Sequence, residues 1–203
     1  MVVMTTTKKT AAALTASLAV LAAAVPFASD AATSPAAKAR TVAVRISGGH
    51  VTDPRDHGRP VVLVAAGLGV PTEVFRTAFS GVTPAGAGEE PDPGQVDENK
   101  RALLKVLAPY GVTNERLDQV SNYYRYNGSA GETWRHVDAT GRAVIRNGKV
   151  VSVTITRAGA GYSSAPAVTV PGHPGAKIAA TVSYGRDLAT NGGLATLKVV
   201  RGG

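Results

Sequence analysis

Four side chains with ligand or catalytic chemistry crowd one short loop. His50, Asp53, Asp56 and His57 fall within eight positions. Imidazole nitrogens and carboxylate oxygens are what Zn²⁺ or Ca²⁺ takes as ligands. A histidine near carboxylates is also the raw material of a hydrolytic general base. The spacing matches no metal or hydrolase motif, and the chain has no G-x-S-x-G, H-E-x-x-H, P-loop or dinucleotide fingerprint. The same loop reads as a helix entry, with Asp53 as cap and Pro54 in the first turn. No motif implies a cofactor.

A second constellation is aromatic. Tyr123, Tyr124, Tyr126 and Trp134 cluster, with Arg125 and Arg135 among them. Such rings form a platform for sugars, or with arginine for a nucleic-acid strand. The competing reading packs them in the seam between two parts of the chain. Glu132 and Asp138 stand nearby as a possible carboxylate pair.

The third constellation is basic. The chain carries a net charge of +8. Residues 32–138 balance twelve basic against twelve acidic side chains, whereas residues 139–203 hold eight basic side chains and a single acid, Asp187. Arg142, Arg146, Lys149, Arg157, Lys198 and Arg201 are the basic set singled out here. A field of one sign attracts polyanions: acidic polysaccharide, phosphate-bearing wall polymer, lipopolysaccharide or DNA. On one face these cations make a binding stripe. Scattered, they only keep strand edges apart.

The elements that position these residues follow from pattern. Lys8 and Lys9 precede an Ala-rich apolar run from Ala11 to Phe27, and Ser29-Asp30-Ala31 suits a signal peptidase. Residues 1–31 therefore read as a cleaved secretory signal, with no transmembrane segment elsewhere. Residues 32–59 read as leader and loop, with a short strand near Thr41–Ile46. The chain has no cysteine, so its core alone must hold it.

Residues 60–126 predict a helical domain of two hairpins. Gly69 and Gly111 each end a helix, Thr113 caps the next, and Val70 and Val112 staple onto Phe75 and Leu117. The run Val61, Val62, Val64 leaves a buried strand open for the first segment. Between the hairpins, T-P-A-G-A-G-E-E-P-D-P-G-Q reads as a surface loop.

Residues 127–141 read as a linker and 142–203 as a basic β module. The module contains a repeat at an offset of 44: N-G-K-V-V-S-V-T-I-T-R-A-G at 147–159 and N-G-G-L-A-T-L-K-V-V-R-G-G at 191–203. Each copy opens on Asn-Gly, a hairpin-turn signal, followed by alternating apolar residues. Strands are expected near 142–146, 149–157, 167–170, 176–184 and 194–201.

Gly159, Gly161, Tyr162, Ser164, Pro166 and Val168 fill a G-x-G-Y-x-[ST]-x-P-x-V pattern. This segment resembles a repeat of bacterial surface and phage tail proteins, over about 60 of the chain's 203 residues. The resemblance implies display or adhesion and names no catalytic residue. The chain carries one full copy and half of another, and the resemblance does not extend to residues 32–140.

The fold class expected is α+β: a small helical domain of two hairpins followed by a small antiparallel β module. The function expected is a secreted or cell-surface, non-enzymatic binding protein whose β module takes an anionic extracellular polymer. The alternatives are self-association through a sheet edge, or an extracellular hydrolase with its site in the helical domain.

Overall fold

The structure, a computed structural model, describes residues 39–83 and 92–203. The expected signal segment, the leader up to residue 38 and the centre of the acidic loop, 84–91, lie outside the described residues. The described elements are α+β. In chain order they are β1 (Arg40–Ala43), β2 (Arg45–Ser47), α1 (Val61–Leu68), α2 (Thr72–Phe79), α3 (Pro93–Leu107), α4 (Asn114–Tyr123), β3 (Thr140–Arg146), β4 (Lys149–Arg157), β5 (Ala167–Thr169), β6 (Ala176–Ser183) and β7 (Gly193–Gly202).

The helices form where pattern and caps agree. Gly69 sits at φ 77° after α1, and its N–H reaches Ala65 and Ala66 carbonyls. The Thr113 hydroxyl accepts from the Arg116 N–H at the start of α4, and Asp92 does the same for Gln95 at the start of α3. Val70, Phe75, Val112 and Leu117 are all buried at the two inter-helix turns. The β-branched start of α1 is helical because the segment is covered on several sides. A Cβ on its Gly67 would meet Leu188 at 2.9 Å and Val120 at 3.2 Å.

The short strand expected near Thr41–Ile46, within the leader and loop, is present as β1 and β2, and both belong to the sheets. β1 pairs antiparallel with β3, and β2 pairs antiparallel with β5. The helices are thus inserted between β2 and β3. Val42, Val44 and Ile46 point this segment's apolar side at the β cores. With β4 on the far side of β3 and β6 paired to β7, three small antiparallel sheets result. β4 touches β7 and β5 touches β6, which joins the sheets around a common interior.

The repeat is a repeated hairpin. Adding 37 to each β3 position and 44 to each β4 position reproduces the β6–β7 register: Thr140↔Arg157 becomes Lys177↔Arg201, and Arg142↔Thr154 becomes Ala179↔Lys198. The register shifts coincide too, leaving Val151 and Thr156 as the extra residues of β4 and Ala195 and Val200 as those of β7.

The connections differ. Asn147 (φ 49°) and Gly148 (φ 74°) make the tight turn that Asn-Gly predicts. Asn191-Gly192 does not make a second one. Asn191 is 1% exposed, and it ends a longer connection that dips into the helical core. Its Nδ2 donates to the Leu63 carbonyl (2.8 Å) and to the Tyr124 hydroxyl (2.9 Å). Leu188 of the same connection joins the helical core cluster. Helices and sheets are therefore parts of one compact unit over residues 37–203.

Candidate functional site

The loop quartet does not converge. Among the described residues no group of three or more histidine, aspartate or glutamate side chains is arranged to hold a metal ion. Asp53 caps the turn at Pro54–Asp56 and takes Arg55. That side-chain hydrogen bond, with the Arg55 backbone N–H, holds the Asp53 carboxyl down at about 2. Asp56 is buried and receives two bonds from Arg76, at 2.7 and 2.8 Å. His57 is exposed in a left-handed conformation.

His50 turns the other way. Its ring centroid lies 4.6 Å from His136, 5.5 Å from Tyr162 and 5.8 Å from Trp134. Its Nε2 is shielded from solvent and has no hydrogen-bond partner. Burial, reinforced by His136, pushes the imidazole below its ordinary 6.5, against an opposing pull from Asp138.

The aromatic residues pack the seam. Trp134 and Tyr124 are buried in the helical core cluster, with Tyr123 and Tyr126 packed on it. Trp134 Nε1 donates to the Gly161 carbonyl at 2.9 Å, and the Tyr126 hydroxyl donates to Gly58. Burial raises the Tyr124 hydroxyl to about 12. Arg135 covers the Tyr123 ring at 4.9 Å. A stacking platform needs open faces, whereas Tyr124 and Trp134 are buried and Tyr123 and Tyr126 are half-buried. A cavity of about 320 Å³ beside His57 is lined by Arg59, Phe79 and Ser80, and it does not reach the Tyr123–Trp134 segment. Glu132 is taken up by the Asn127 N–H.

The motif glycines and tyrosine are structural. The 135–139 backbone crosses Gly159 and Gly161: a Cβ on Gly159 would lie 2.7 Å from Ala139 N, and one on Gly161 2.7 Å from the Arg135 carbonyl. The Tyr162 hydroxyl accepts from the Ala139 N–H, and its ring would meet a Cβ on Gly49 at 2.5 Å.

The basic set gathers on two hairpins. Arg142, Arg146, Lys149, Arg157, Lys198 and Arg201 are all exposed. Across β3–β4 the pairs Arg142↔Thr154, Arg146↔Lys149 and Thr140↔Arg157 alternate with the inward pairs Ala143↔Val153 and Ile145↔Val150. Across β6–β7 the pairs Lys177↔Arg201 and Ala179↔Lys198 alternate with Ile178↔Val199 and Ala180↔Leu197. Each hairpin thus turns its cations outward. The hairpins belong to separate sheets, and β4 lies against β7 with the two strands running antiparallel. Leu194 N–H donates to the Ala158 carbonyl at one end, and a Cβ on Gly202 would sit 2.7 Å from the Val150 carbonyl at the other.

The six residues therefore lie on the outward sides of the two hairpins, opposite the core that Ala143, Ile145, Val150, Ile178 and Val199 build between them. Arg157 and Arg201 hold equivalent places in the two hairpins, yet they lie at opposite ends of the hairpin pair. Arg157 is tethered to the Asp138 carbonyl at 3.0 Å. Among the described residues the ion pairs involve Arg55, Arg76 and Lys100, and no cation of this set pairs with a carboxylate. Sequence reasoning left out Lys177. Its place opposite Arg201 is visible only in the β6–β7 register.

Comparison with protein-family models, with curated proteins and with solved structures found no match.

Proposed function

We propose that the chain is a secreted or cell-surface, non-enzymatic binding protein that engages an anionic polymer through the outward sides of its β3–β4 and β6–β7 hairpins. The observation that carries this reading is the set of outward cations on the two hairpins. Seven cations, the six above and Lys177, point outward from their four strands with no carboxylate among them. One end of the hairpin pair is occupied: the β6–β7 connection there enters the helical core through Leu188 and Asn191. The other end, where β7 finishes on the start of β4, presents Arg146, Lys149, Lys177 and Arg201.

The resemblance of Gly159–Val168 to a display repeat fits this reading, because the motif residues build the scaffold and leave the cations exposed. The signal-like segment at 1–31 fits an extracellular address. The helices serve as a rigid mount for one end of the hairpin pair.

The test is binding of the chain from Ala32 to dextran sulfate, polyphosphate, DNA and neutral dextran across a salt series. Retention on the charged polymers, falling log-linearly as salt rises, is the result expected of cation–polyanion contacts. Equal behaviour on charged and neutral polymers would refute it.

A further inference from the structure

We infer that the free end of the hairpin pair holds two clamps for tetrahedral oxyanions, Arg146 with Lys149 and Arg201 with Lys177, which select sulfate or phosphate-monoester groups over carboxylates. This rests on the polyanion reading above and adds the chemistry of the anionic group.

Each clamp is one arginine directly opposite one lysine on neighbouring strands. Directly opposed residues bring their Cβ atoms to about 4.5–5.5 Å, and like charges so placed repel. Nothing relieves the repulsion, since no carboxylate among the described residues pairs with either clamp. The two clamps are neighbours: a Cβ on Gly202, next to Arg201, would lie 3.8 Å from the Lys149 Cβ.

The hairpin does not require these pairs. The place equivalent to Lys177↔Arg201 in the first hairpin is Thr140↔Arg157, and the place equivalent to Arg146↔Lys149 in the second is Ser183↔Gly193. The same register thus folds with one cation or none. Protection of sheet edges does not explain Arg146. Its strand, β3, lies between β1 and β4.

An arginine–lysine pair suits a particular anion. The guanidinium fork takes two oxygens of one group, and the ammonium is a point charge that needs another. A sulfate half-ester or phosphate monoester offers three free oxygens on one centre. A carboxylate offers two, and the fork uses both. Two adjacent clamps then favour a polymer that bears such groups close together.

The experiment compares the intact chain on four dextrans of matched length: sulfated, phosphorylated, carboxymethylated to the same charge density, and unmodified. The sulfated or phosphorylated form should bind at least about tenfold tighter than the carboxymethyl form, the scale of one charge-assisted contact. Whichever of the two leads identifies the source of the oxyanion. Lys149→Thr with Lys177→Thr should erase that preference, while Arg142→Thr with Lys198→Thr should weaken all charged forms alike. Thermal melts of both variants, without ligand, guard against loss of fold. Equal affinity for carboxymethyl and sulfated dextran, or a preference that survives Lys149→Thr with Lys177→Thr, overturns the clamp while the polyanion reading stands. Failure of every charged dextran to bind overturns both.

Discussion

Asn191, deep in the β6–β7 connection, donates to the hydroxyl of Tyr124 at the end of α4, 2.9 Å away. The same amide donates to the Leu63 carbonyl, and its oxygen accepts from the Gly185 N–H. One side chain thus ties α1, α4 and the second hairpin together in a site closed to water. Replacing Asn191 by Ala strands those partners and should lower stability by about 2–4 kcal/mol. Urea unfolding followed by far-UV dichroism and by Trp134 fluorescence checks this. The two signals should move together in wild type, because Trp134 belongs to the helical core yet donates to Gly161. Separate transitions would show that helices and sheets unfold independently.

Two glycines with the same sign of φ should respond differently to alanine. Gly148 sits at φ 74° with open space around it, so Gly148→Ala should cost about 1 kcal/mol, the strain of the left-handed conformation alone. Gly161 sits at φ 82° with the 135–136 backbone where a Cβ would go, so Gly161→Ala should cost more than about 3 kcal/mol. Comparable losses at both positions would mean that the crossing of 135–139 over the motif is loose.

Much of this was legible in sequence. Caps and left-handed glycines marked the helix ends, because Thr113, Gly69 and Gly111 act through local chemistry. The 44-residue offset marked the repeated hairpin. What escaped was non-local. The short strand near Thr41–Ile46 was legible, but not its split into β1 and β2 or their pairing with β3 and β5, because those partners lie about a hundred residues away. Asn191-Gly192 read as a second tight turn because the dipeptide is the same as Asn147-Gly148, and only the burial of Asn191 tells them apart. The loop quartet looked like a ligand set because composition carries no direction: Asp56 faces Arg76 while His50 faces Tyr162. The basic set was half visible, since strand alternation points cations outward but only the register adds Lys177.

Acid should destabilise the protein in two windows. The His50 imidazole is held below 6.5 by burial and by His136. A histidine with a lowered folded value favours the native state fully above its unfolded value, and that contribution is lost as pH falls through the folded one. The facing groups are His136, Asp138, Tyr162 and Trp134. Asp53, lowered from 3.8 to about 2, gives a second loss at lower pH, as the solution passes from its unfolded value toward its folded one. The urea midpoint should therefore fall as pH drops below about 6.5, and His50→Phe should flatten that fall while leaving the more acidic one. An unchanged slope in His50→Phe would assign the effect elsewhere.

Arg76 holds the buried Asp56 carboxylate with two bonds and also contacts Glu73 and Asp53. Arg76→Ala leaves Asp56 buried without its counter-charge and should cost about 2 kcal/mol. Asp56→Asn with Arg76→Gln should recover part of that loss. The checking measurement is a double-mutant cycle by chemical unfolding, where additive losses would show that the pair is not coupled.

The central claim is that the outward cations of the two hairpins, and not net charge, bind the polyanion. The most direct measurement compares two variants that lose the same charge. Arg142→Thr with Lys198→Thr removes two cations from the hairpins, and Arg101→Gln with Lys105→Gln removes two exposed cations from α3. Dextran sulfate affinity is then followed against salt. The hairpin variant should bind more weakly and lose up to about two units of the log–log salt slope, while the helix variant keeps the wild-type slope. Equal losses in the two variants would contradict the account, leaving the net charge of the chain as the only attraction.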